Sequence, residues 1–495
     1  MVRGKAVEGS GLDVGFICQG WSPDVGGIET LAKGLATALA GRGHRVHVLC
    51  LDYGEGREPY STRDEVVDGV AVRRMAYLYH DHAALADVVL NKNANDVVLA
   101  WLAETPCDIV HAQHLTGFGL GALAAVNDVG LPLVMTLHDY WGLCPRGQML
   151  RNDDTLCERP EADACAACLG ATWPHLMPST GGRGEGPGGE PLAGDVEATA
   201  ARTEFALGAL RLPQRLFSPS ARTREVYAAA GLEPERIQVV ENGIGAAELA
   251  AEARRLRAAS ARGEGDELRL GVLGTMIPSK GQLELVRAFR KADVAGLGLD
   301  LYGNMPPYHG DDAYIEELRA IGREDPHVRV HGPYTQDELP GILAGLDGVA
   351  APSRWEEVYG LTVREARAAG LPVLVSAAGG LPAVAAGGEA GLVVPRDDEE
   401  AWGEALRRFA SDADARARWA ACEAPLRTTG DMMLELERAY VEVIREVTGL
   451  MPSLVHPIEG LAGDAPASST SAPAADATAP KPARRGLLGR LFGRG

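Results

Sequence analysis

Residues 351–373 read APSRWEEVYGLTVREARAAGLPV, which predicts a buried strand, a loop and a helix in immediate succession. We expect the helix over Leu361–Ala369, because Gly370 suits the position after a helix end and a proline two residues later blocks continuation. One acid, Glu357, then lies on the loop, and a second, Glu365, lies in the second turn of the helix. Both follow the carboxyl end of a parallel strand, where open sheets of this kind bind ligands.

These two acids suit a ligand that carries paired hydroxyl groups. A carboxylate accepts two neighbouring hydroxyls of a sugar or a ribose through charge-assisted hydrogen bonds. A helix start supplies free N–H groups and a positive dipole for a diphosphate. The combination fits a nucleotide sugar, although the spacing of Glu357 and Glu365 alone is equally typical of two exposed glutamates near a helix.

Two further segments repeat the succession of strand, loop and helix. Residues 271–281, GVLGTMIPSKG, place Lys280 just before a helix, where its ammonium group can reach phosphate oxygens. Residues 21–29, WSPDVGGIE, carry Gly26 and Gly27, which let the backbone approach a phosphate closely. A surface lysine and a turn that needs glycine are the plain structural alternatives.

A fourth loop, after the strand that ends at Ser376, carries Gly379 and Gly380. Each of the four loops taken singly has an ordinary structural explanation. Four of them after four strands, one in the first half of the chain and three in the second, indicate one shared binding cleft for phosphate and sugar.

Short runs rich in Val, Leu and Ile alternate with helical stretches along most of the chain, as is typical of parallel sheets covered on both faces. The sequence therefore predicts an α/β fold. The predicted strands are Asp13–Cys18, Val46–Leu51, Asp108–His111, Leu133–Leu137, Arg215–Ser218, Ile237–Val240, Leu268–Leu273, Leu297–Tyr302, Val328–His331, Gly348–Ala351 and Val373–Ser376.

The length of 495 residues exceeds what one core usually supports, which favours two domains. We place the first domain at 11–210 and the second at 211–430, because the strand pattern restarts there after a Gly-rich stretch. A helix at 431–447 is predicted to close the first domain. Residues 450–495 are expected to be disordered, as an Ala/Pro/Ser/Thr linker followed by a basic tail.

The composition limits the partners. A formal net charge of −20 disfavours nucleic-acid binding. The chain has neither an apolar run long enough to span a membrane nor a secretory signal at its start, so we expect a cytoplasmic protein. The last residues, 484–495, read RRGLLGRLFGRG, which suits either peripheral contact with the inner face of a membrane or a plain basic tail.

Half of the eight cysteines lie close together, at Cys144, Cys157, Cys165 and Cys168. The last two form Cys-Ala-Ala-Cys, a spacing suited to tetrahedral zinc. We predict a structural zinc site that holds a Cys-rich insertion at 144–168 together. Free thiols, disulfides and an iron–sulfur cluster are the alternatives.

Four segments carry a resemblance to a known family: PDVGGIETLAKGLATALAGRGHRVHVL, SPSARTREVYAAAGLEPERIQVVENGI, GTMIPSKG and PSRWEEVYGLTVREARAAGLPVLVSAAGGLPAV. Over residues 11–447 the sequence resembles a retaining glycosyltransferase of the family-four group. The resemblance implies the GT-B architecture of two facing Rossmann-like domains. It also implies transfer of a sugar from a nucleotide diphosphate sugar to an acceptor, which we expect to be a cell-surface glycan or a lipid-linked saccharide, with a small natural product as the alternative.

The same resemblance assigns roles to individual residues. It implies that Glu357 contacts the donor sugar, that Glu365 holds the ribose hydroxyls and that Lys280 binds phosphate. Gly26–Gly27 match a glycine loop near the diphosphate. His138, in TLHDYW, matches a histidine that faces the donor sugar from the first domain, and a structural histidine at a strand end is its alternative.

One position departs from the family pattern. Thr275 stands where an arginine is usual, and Arg354 or Arg146 are conceivable substitutes. The resemblance implies retention of the anomeric configuration, and front-face substitution fits a sequence with no evident nucleophile. Catalysis would then rest on positioning and on stabilising the leaving diphosphate, with no required metal cofactor.

Four other functions compete with this interpretation. A dehydrogenase is suggested by residues 117–122, GFGLGA, but these glycines do not follow their strand immediately, as a phosphate turn requires. A nucleotide-sugar epimerase or a phosphorylase would share the donor site. A non-catalytic partner of another glycosyltransferase would share the fold, but the presence of Glu357, Glu365 and Lys280 argues against it.

Overall fold

The computed structural model describes residues 11–458, apart from residues 23–25, 55, 79–81, 180–190, 261–262, 264, 424–425, 453 and 457. The chain forms two α/β units, each built on its own largely parallel sheet. This confirms the predicted fold class. The basic tail and most of the predicted linker lie outside the described residues.

The first sheet has eight strands in the order β3-β4-β2-β1-β5-β6-β7-β8. Only the β3–β4 pair is antiparallel. The order reverses direction between β1 and β5, so the carboxyl ends of these two strands flank a crevice where ligands bind in such sheets. The strands are β1 Asp13–Cys18, β2 Arg45–Asp52, β3 Thr62–Val67, β4 Val70–Ala76, β5 Ile109–Ala112, β6 Leu133–Thr136, β7 Arg215–Ser218 and β8 Ile237–Val239.

Helices cover both faces of this sheet, and their apolar sides form two clusters of buried residues against it. They are α1 Gly27–Gly41, α2 Leu85–Val89, α3 Lys92–Glu104, α4 Gly121–Asp128, α5 Ala162–Thr172, α6 Ala193–Leu210 and α7 Ala221–Ala229. The next helix, α8 Ala246–Ala258, packs on the second domain, where Ala253 joins an apolar cluster.

The second sheet has six strands, all parallel, in the order β11-β10-β9-β12-β13-β14. Counted from its own first strand this is the order 3-2-1-4-5-6 of a dinucleotide-binding fold, with the reversal between β9 and β12. The strands are β9 Leu268–Leu273, β10 Leu297–Tyr302, β11 Val328–Gly332, β12 Gly348–Ala351, β13 Val373–Ser376 and β14 Gly391–Val394.

Its helices again lie on both faces, as right-handed crossovers between parallel strands require. Helix α12 ends as predicted, because Gly370 has a φ of +76° directly after the last helical turn. The helices of this sheet are α9 Gln282–Ala292, α10 Ala313–Glu324, α11 Leu339–Ala344, α12 Leu361–Ala368, α13 Glu399–Ser411 and α14 Ala413–Ala420. The last helix, α15 Thr429–Thr448, packs on the first domain.

The predicted domain boundary at residue 211 is wrong. Strands β7 and β8, which follow that position, pair in parallel with β6 and with each other, so they extend the first sheet. The second sheet begins only at Leu268. The Gly-rich stretch that suggested the boundary is a connection within the first domain.

The last helix, α15, packs on the first domain, as predicted for residues 431–447. Helix α15 packs against α1 with a buried apolar side that includes Leu436 and Tyr440. Glu437 on the same helix accepts hydrogen bonds from Arg42, at 2.9 Å, and from the ring of His44, at 2.8 Å. Among the described residues, none of the helices combines the length and the apolar character needed to cross a bilayer.

Candidate functional site

A cavity of about 670 Å³ opens between the two domains. It lies at the carboxyl ends of β1 and β9, beside the point in each sheet where the strand order reverses. The first domain contributes Gly26, Gly27, Thr30, Leu31 and Gly34 to its wall, and the segment that connects the domains contributes Gly243, Ile244, Gly245, Glu248, Leu249 and Glu252. The second domain and the closing helix contribute Gly274, Thr275, Gly303, Asn304, Tyr334, Gln336, Asp337, Pro340, Leu361, Thr362, Glu365 and Thr429.

Two helix starts meet in this cavity. Gly27 begins α1 and Leu361 begins α12, and a Cβ at Gly27 would lie 3.4 Å from the Leu361 side chain. The first N–H groups of a helix lack partners within the helix and carry the positive end of its dipole. The cavity therefore offers backbone donors from both domains to an anionic group, as the sequence predicted for Gly26 and Gly27.

Glu365 lines the cavity as predicted, from the second turn of α12. Loss of contact with water raises the pKa of its carboxyl group from 4.5 to about 7. A carboxylate that is poorly hydrated gains most from hydroxyl groups that donate to it. Glu365 is therefore placed to accept the hydroxyl groups of a bound ligand.

Glu357 and Lys280 form an ion pair, with the Lys280 ammonium 2.7 Å from Oε2 of Glu357. The Ser353 hydroxyl and the indole N–H of Trp355 donate to the same oxygen, each at 3.0 Å. The ammonium also lies 5.1 Å from the centre of the Trp355 ring. Three donors hold Oε2, which leaves Oε1 without a hydrogen-bond partner among the described residues. Neither Glu357 nor Lys280 is among the residues that line the cavity.

The neighbouring acid, Glu356, holds the two domains together. Its buried carboxylate accepts from Arg222 on α7 of the first domain and from Arg396 of the second, both at 3.2 Å. The N–H of Gly379 donates to it at 3.0 Å. Burial works to raise the pKa of Glu356, but the two arginines outweigh this and keep it below its ordinary value. Glu356 thus joins the two domains, whereas the adjacent Glu357 pairs with Lys280 within the second domain.

Gly379 and Gly380 lie behind the Glu357 loop and are absent from the cavity wall. A Cβ at Gly379 would overlap the backbone of Glu357, and the N–H of Gly380 donates to the Glu357 carbonyl at 2.6 Å. The sequence predicted these glycines as donor contacts. In the structure they pack against the backbone of the loop that carries Glu357 and support it.

Replacing Gly379 by alanine is expected to destabilise the protein by about 1–3 kcal/mol more than the matched change Gly387→Ala. Both glycines have similar positive φ angles, +58° and +64°, so the strain on an alanine is comparable. A Cβ at Gly387 meets nothing within 4 Å, whereas one at Gly379 overlaps the Glu357 loop. Urea unfolding of the two variants measures the difference, and equal stabilities would show that the close approach at Gly379 is unimportant.

Thr275 lines the cavity, but neither arginine suggested as a substitute cation does. Arg354 pairs with Asp397 at 2.6 Å and with Asp154 at 2.9 Å. Arg146 donates to the Leu150 carbonyl at 2.7 Å and to the hydroxyl of a tyrosine in the second domain at 3.0 Å. Among the described residues that line the cavity, none is a lysine or an arginine, which leaves Lys280 as the cation nearest in sequence to Thr275.

His138 lies outside the main cavity, in a narrow crevice beside it. The crevice and the cavity share the Leu31 side chain of α1, and Gln113, Thr136 and Asn242 are among the other lining residues. Burial and the charge of a neighbouring histidine lower the pKa of His138 to about 3. The ring is therefore neutral at physiological pH.

Some residues of the cavity wall were not predicted from the sequence. Asn304 follows β10 by two residues, and Tyr334, Gln336 and Asp337 follow β11. Both strands were predicted, and ligands bind at the carboxyl ends of such strands. Their positions directly after predicted strands would have identified them.

The four clustered cysteines are free thiols. Cys144 lies close enough to Cys157 and Cys165 to contribute to the raised pKa of each, after burial. Arg146 donates to Cys168 at 3.5 Å, and burial raises the pKa of Cys165 to about 11. In the described part of the chain, no three histidine, cysteine, aspartate or glutamate side chains are arranged to hold a metal ion. Zinc at Cys144, Cys157, Cys165 and Cys168 therefore stays a prediction from spacing.

Metal analysis of the purified protein tests the zinc prediction. We expect about one equivalent of zinc, lost when Cys165 and Cys168 are both replaced by serine. The matched control is Cys422→Ser, which changes a cysteine far from the cluster in sequence. Less than about half an equivalent in the unmodified protein would count against the site.

Comparison with known proteins agrees with this geometry. Residues 267–412 match the family described as glycosyl transferases group 1, and residues 26–243 match the glycosyl transferase 4-like domain. The chain belongs to the family-four glycosyltransferases. It is an enzyme that transfers a sugar from a nucleotide sugar.

Curated relatives of this glycosyltransferase share a name. It is 27% identical over 425 residues, 80% of each chain, to the D-inositol 3-phosphate glycosyltransferase of Nocardioides sp.. The corresponding enzyme of Corynebacterium glutamicum is 31% identical over 194 residues, which is 38% of this chain and 46% of that relative.

Solved structures share the GT-B fold of this glycosyltransferase. The sucrose-phosphate synthase of Thermosynechococcus elongatus matches with a TM-score of 0.61 and 18% identity, over 88% of this chain and all of that one. Anabaena HepE, in complex with UDP and glucose, matches with a TM-score of 0.55 and 17% identity, over 88% of this chain and 98% of that one. These likenesses confirm the two facing Rossmann-like domains that the sequence predicted.

Proposed function

We propose that this glycosyltransferase moves a sugar from a nucleotide diphosphate sugar to an acceptor hydroxyl with retention of the anomeric configuration. The observation that carries the donor assignment is the interdomain cavity, where two helix starts meet the half-buried side chain of Glu365, whose carboxyl pKa is raised. The helix starts suit the diphosphate, and Glu365 suits the ribose hydroxyls. The Lys280–Glu357 pair belongs to the same carboxyl edge of the second sheet.

The chemistry that these groups support is a front-face substitution. The acceptor oxygen bonds to the anomeric carbon on the face from which the diphosphate leaves, and the acceptor proton passes to a phosphate oxygen. Lys280 and the helix starts stabilise the charge that develops on the leaving diphosphate. Glu357 Oε1 holds a hydroxyl of the sugar, so that the reacting atoms are aligned.

Two classes of acceptor follow from different observations. The basic tail suggested a lipid-linked saccharide or a cell-surface glycan, but the tail lies outside the described residues. The curated relatives are named for D-inositol 3-phosphate, which favours a small free polyol phosphate as the second candidate. Membrane contact through the tail stays a prediction.

The first experiment identifies the donor. The full chain is incubated with a panel of nucleotide sugars, and release of nucleoside diphosphate is followed with and without lipid-linked acceptors and with inositol phosphate. We expect one donor to be preferred and its turnover to rise when the acceptor is present. Donor conversion to another free nucleotide sugar would indicate an epimerase and contradict the proposal.

A second experiment tests retention without needing the acceptor. Hydrolysis of the preferred donor at high enzyme concentration releases a free sugar faster than it mutarotates, and the coupling of its anomeric proton is read by NMR in the first spectra. We expect the first sugar to appear with the anomeric configuration of the donor. Release of the opposite anomer would establish inversion and overturn the proposed mechanism.

The raised pKa of Glu365 makes donor binding dependent on pH. The ionised carboxylate is the form that accepts two hydroxyls, and its population falls as the pH drops below about 7. We expect the donor Kd to rise by nearly tenfold for each pH unit below that value and to be flat above it. Calorimetric titration between pH 5.5 and 8.5 measures this dependence.

The matched control for this dependence is Glu365→Gln. The amide does not ionise over this range, so the variant should bind the donor weakly at every pH and lose the slope. A variant that retains the slope of the unmodified protein would show that another group titrates.

A further inference from the structure

A chain of buried hydrogen bonds connects the closing helix α15 to His138. Tyr440 on α15 contacts Nδ1 of His111 at 2.6 Å, and Gln113 Nε2 lies 3.1 Å from the same nitrogen. Gln113 Oε1 lies 2.9 Å from Nε2 of His138. His111, Gln113 and Tyr440 are almost fully buried, at 0%, 2% and 0% exposure. Met432 and Leu436 of the same helix line the crevice that holds His138, so the hydrogen bonds run along the wall of that crevice.

The hydrogen bond between Tyr440 and His111 determines which ring nitrogen of His111 carries the proton. Among the described residues, the Tyr440 hydroxyl has no hydrogen-bond partner other than His111. A buried hydroxyl without an acceptor is costly, so Tyr440 donates and Nδ1 of His111 carries a lone pair. Burial lowers the pKa of His111 to about 3, so the ring is neutral and its proton is on Nε2. That nitrogen lies 2.7 Å from the hydroxyl of Thr136, which accepts it.

The contact between His111 and Gln113 determines the orientation of the Gln113 amide. The group that faces the His111 lone pair must be a donor, so it is the amide NH₂. The amide oxygen then faces His138. An amide oxygen only accepts, so Nε2 of His138 must carry a hydrogen. The aromatic rings of Phe16 and Phe217 pack edge-on against His111, at 5.7 and 5.6 Å between centres, and keep it in place.

We propose that Gln113 is a positioning residue: it transmits the constraint from Tyr440 and holds His138 as the Nε2–H tautomer, with Nδ1 as a hydrogen-bond acceptor for a hydroxyl of the donor sugar. This inference rests on the proposed function for the role of His138. The tautomer itself follows from the hydrogen-bond chain alone.

The charges around His138 agree with a neutral acceptor. His114 lies close enough to lower the pKa of His138, while Asp139 works in the opposite direction. Asp139 accepts from His114 at 3.0 Å, and together with Glu29 of α1 it raises the pKa of His114. His114 therefore has a raised pKa and His138 a lowered one, so His114 is the ring that takes up a proton first.

Nitrogen-15 NMR of histidine-labelled full-length protein tests the tautomer without any substrate. The His138 signals are assigned from their loss in His138→Ala. We expect a proton-bearing Nε2 and a bare Nδ1 that do not titrate between pH 5.5 and 8.5. In Tyr440→Phe the His138 signals should shift toward a mixture of tautomers, whereas Tyr140→Phe, which removes a buried hydroxyl bonded to Thr223, should leave them unchanged. A proton on Nδ1 in the unmodified protein would overturn the inference.

Gln113→Glu tests the consequence for transfer. A carboxylate beside Nε2–H favours the imidazolium, whose Nδ1–H cannot accept a hydroxyl proton. We expect kcat of Gln113→Glu to be lowered already at pH 8.5, because the carboxylate cannot donate to His111, and to fall by a further tenfold or more between pH 8.5 and pH 6 relative to the unmodified protein, with a His138 ring that now titrates by NMR. Equal losses at all pH values would indicate a merely structural role and overturn the positioning role. If no donor is turned over by any variant, the proposed function fails while the NMR measurement still decides the tautomer.

Discussion

Replacing Glu357 by glutamine is expected to lower kcat/KM for sugar transfer by about 10²- to 10³-fold. Oε2 of Glu357 is occupied by Lys280, Ser353 and Trp355, so an amide keeps its oxygen there and turns its NH₂ group toward the ligand. The sugar then meets a donor in place of a charged acceptor. The loss should appear mainly in kcat, because the contact aligns the reacting sugar.

Two comparisons make this result specific. Glu389→Gln changes an exposed glutamate of the same domain and should leave transfer unchanged. Thermal unfolding of Glu357→Gln should stay within a few degrees of the unmodified protein, because the three donors still have an oxygen to bind. Transfer within tenfold of normal in Glu357→Gln would remove this residue from the mechanism.

Much of the fold was predictable from apolar runs, and the errors have physical causes. Strand boundaries such as Val373–Ser376 match the structure because a strand buried on both faces has a nearly continuous apolar sequence. The hairpin of β3 and β4 was missed because β3 is an edge strand that alternates between exposed and half-buried positions. Its turn, Asp68–Gly69, has two positive φ angles and is a hairpin signal that the sequence does contain.

The domain boundary was not predictable from composition. A Gly-rich stretch marks a surface connection, whether that connection lies within a domain or between domains. Strands β7 and β8 have ordinary buried sequences, and nothing local shows which sheet they join. Sheet membership depends on pairing between residues far apart in the chain, such as Met135 of β6 with Leu216 of β7.

The sequence predicted which loops form the site, but it did not predict which side chains contact one another. The rule that ligands bind at the carboxyl ends of parallel strands correctly placed Gly26, Gly27 and Glu365 at one cavity. It did not show that Lys280 would pair with Glu357, 77 residues away. It also gave no sign that Glu356 would join the two domains. Side-chain partners depend on rotamers and distances that spacing does not specify.

Replacing Lys280 by alanine is expected to lower kcat/KM by about 10³-fold, the larger of the two effects. In the proposed mechanism Lys280 stabilises the leaving diphosphate, and no lysine or arginine is among the described residues that line the cavity, so only the helix starts would remain to stabilise that charge. The half-exposed ion pair with Glu357 contributes only about 0.5–1 kcal/mol to stability, so the fold should persist. Lys291→Ala is the matched control, since Lys291 forms an exposed surface pair with Glu399 at 2.7 Å.

The double variant of Lys280 and Glu357 distinguishes a shared catalytic role from two separate structural ones. If both residues act on one bound donor, removing the second costs little once the first is gone, and the losses in kcat/KM are far from additive. Losses that simply add, together with a fall in unfolding temperature that also adds, would mean that each residue only supports the loop. The comparison needs kcat/KM and unfolding temperature for four proteins: unmodified, Lys280→Ala, Glu357→Gln and the double variant.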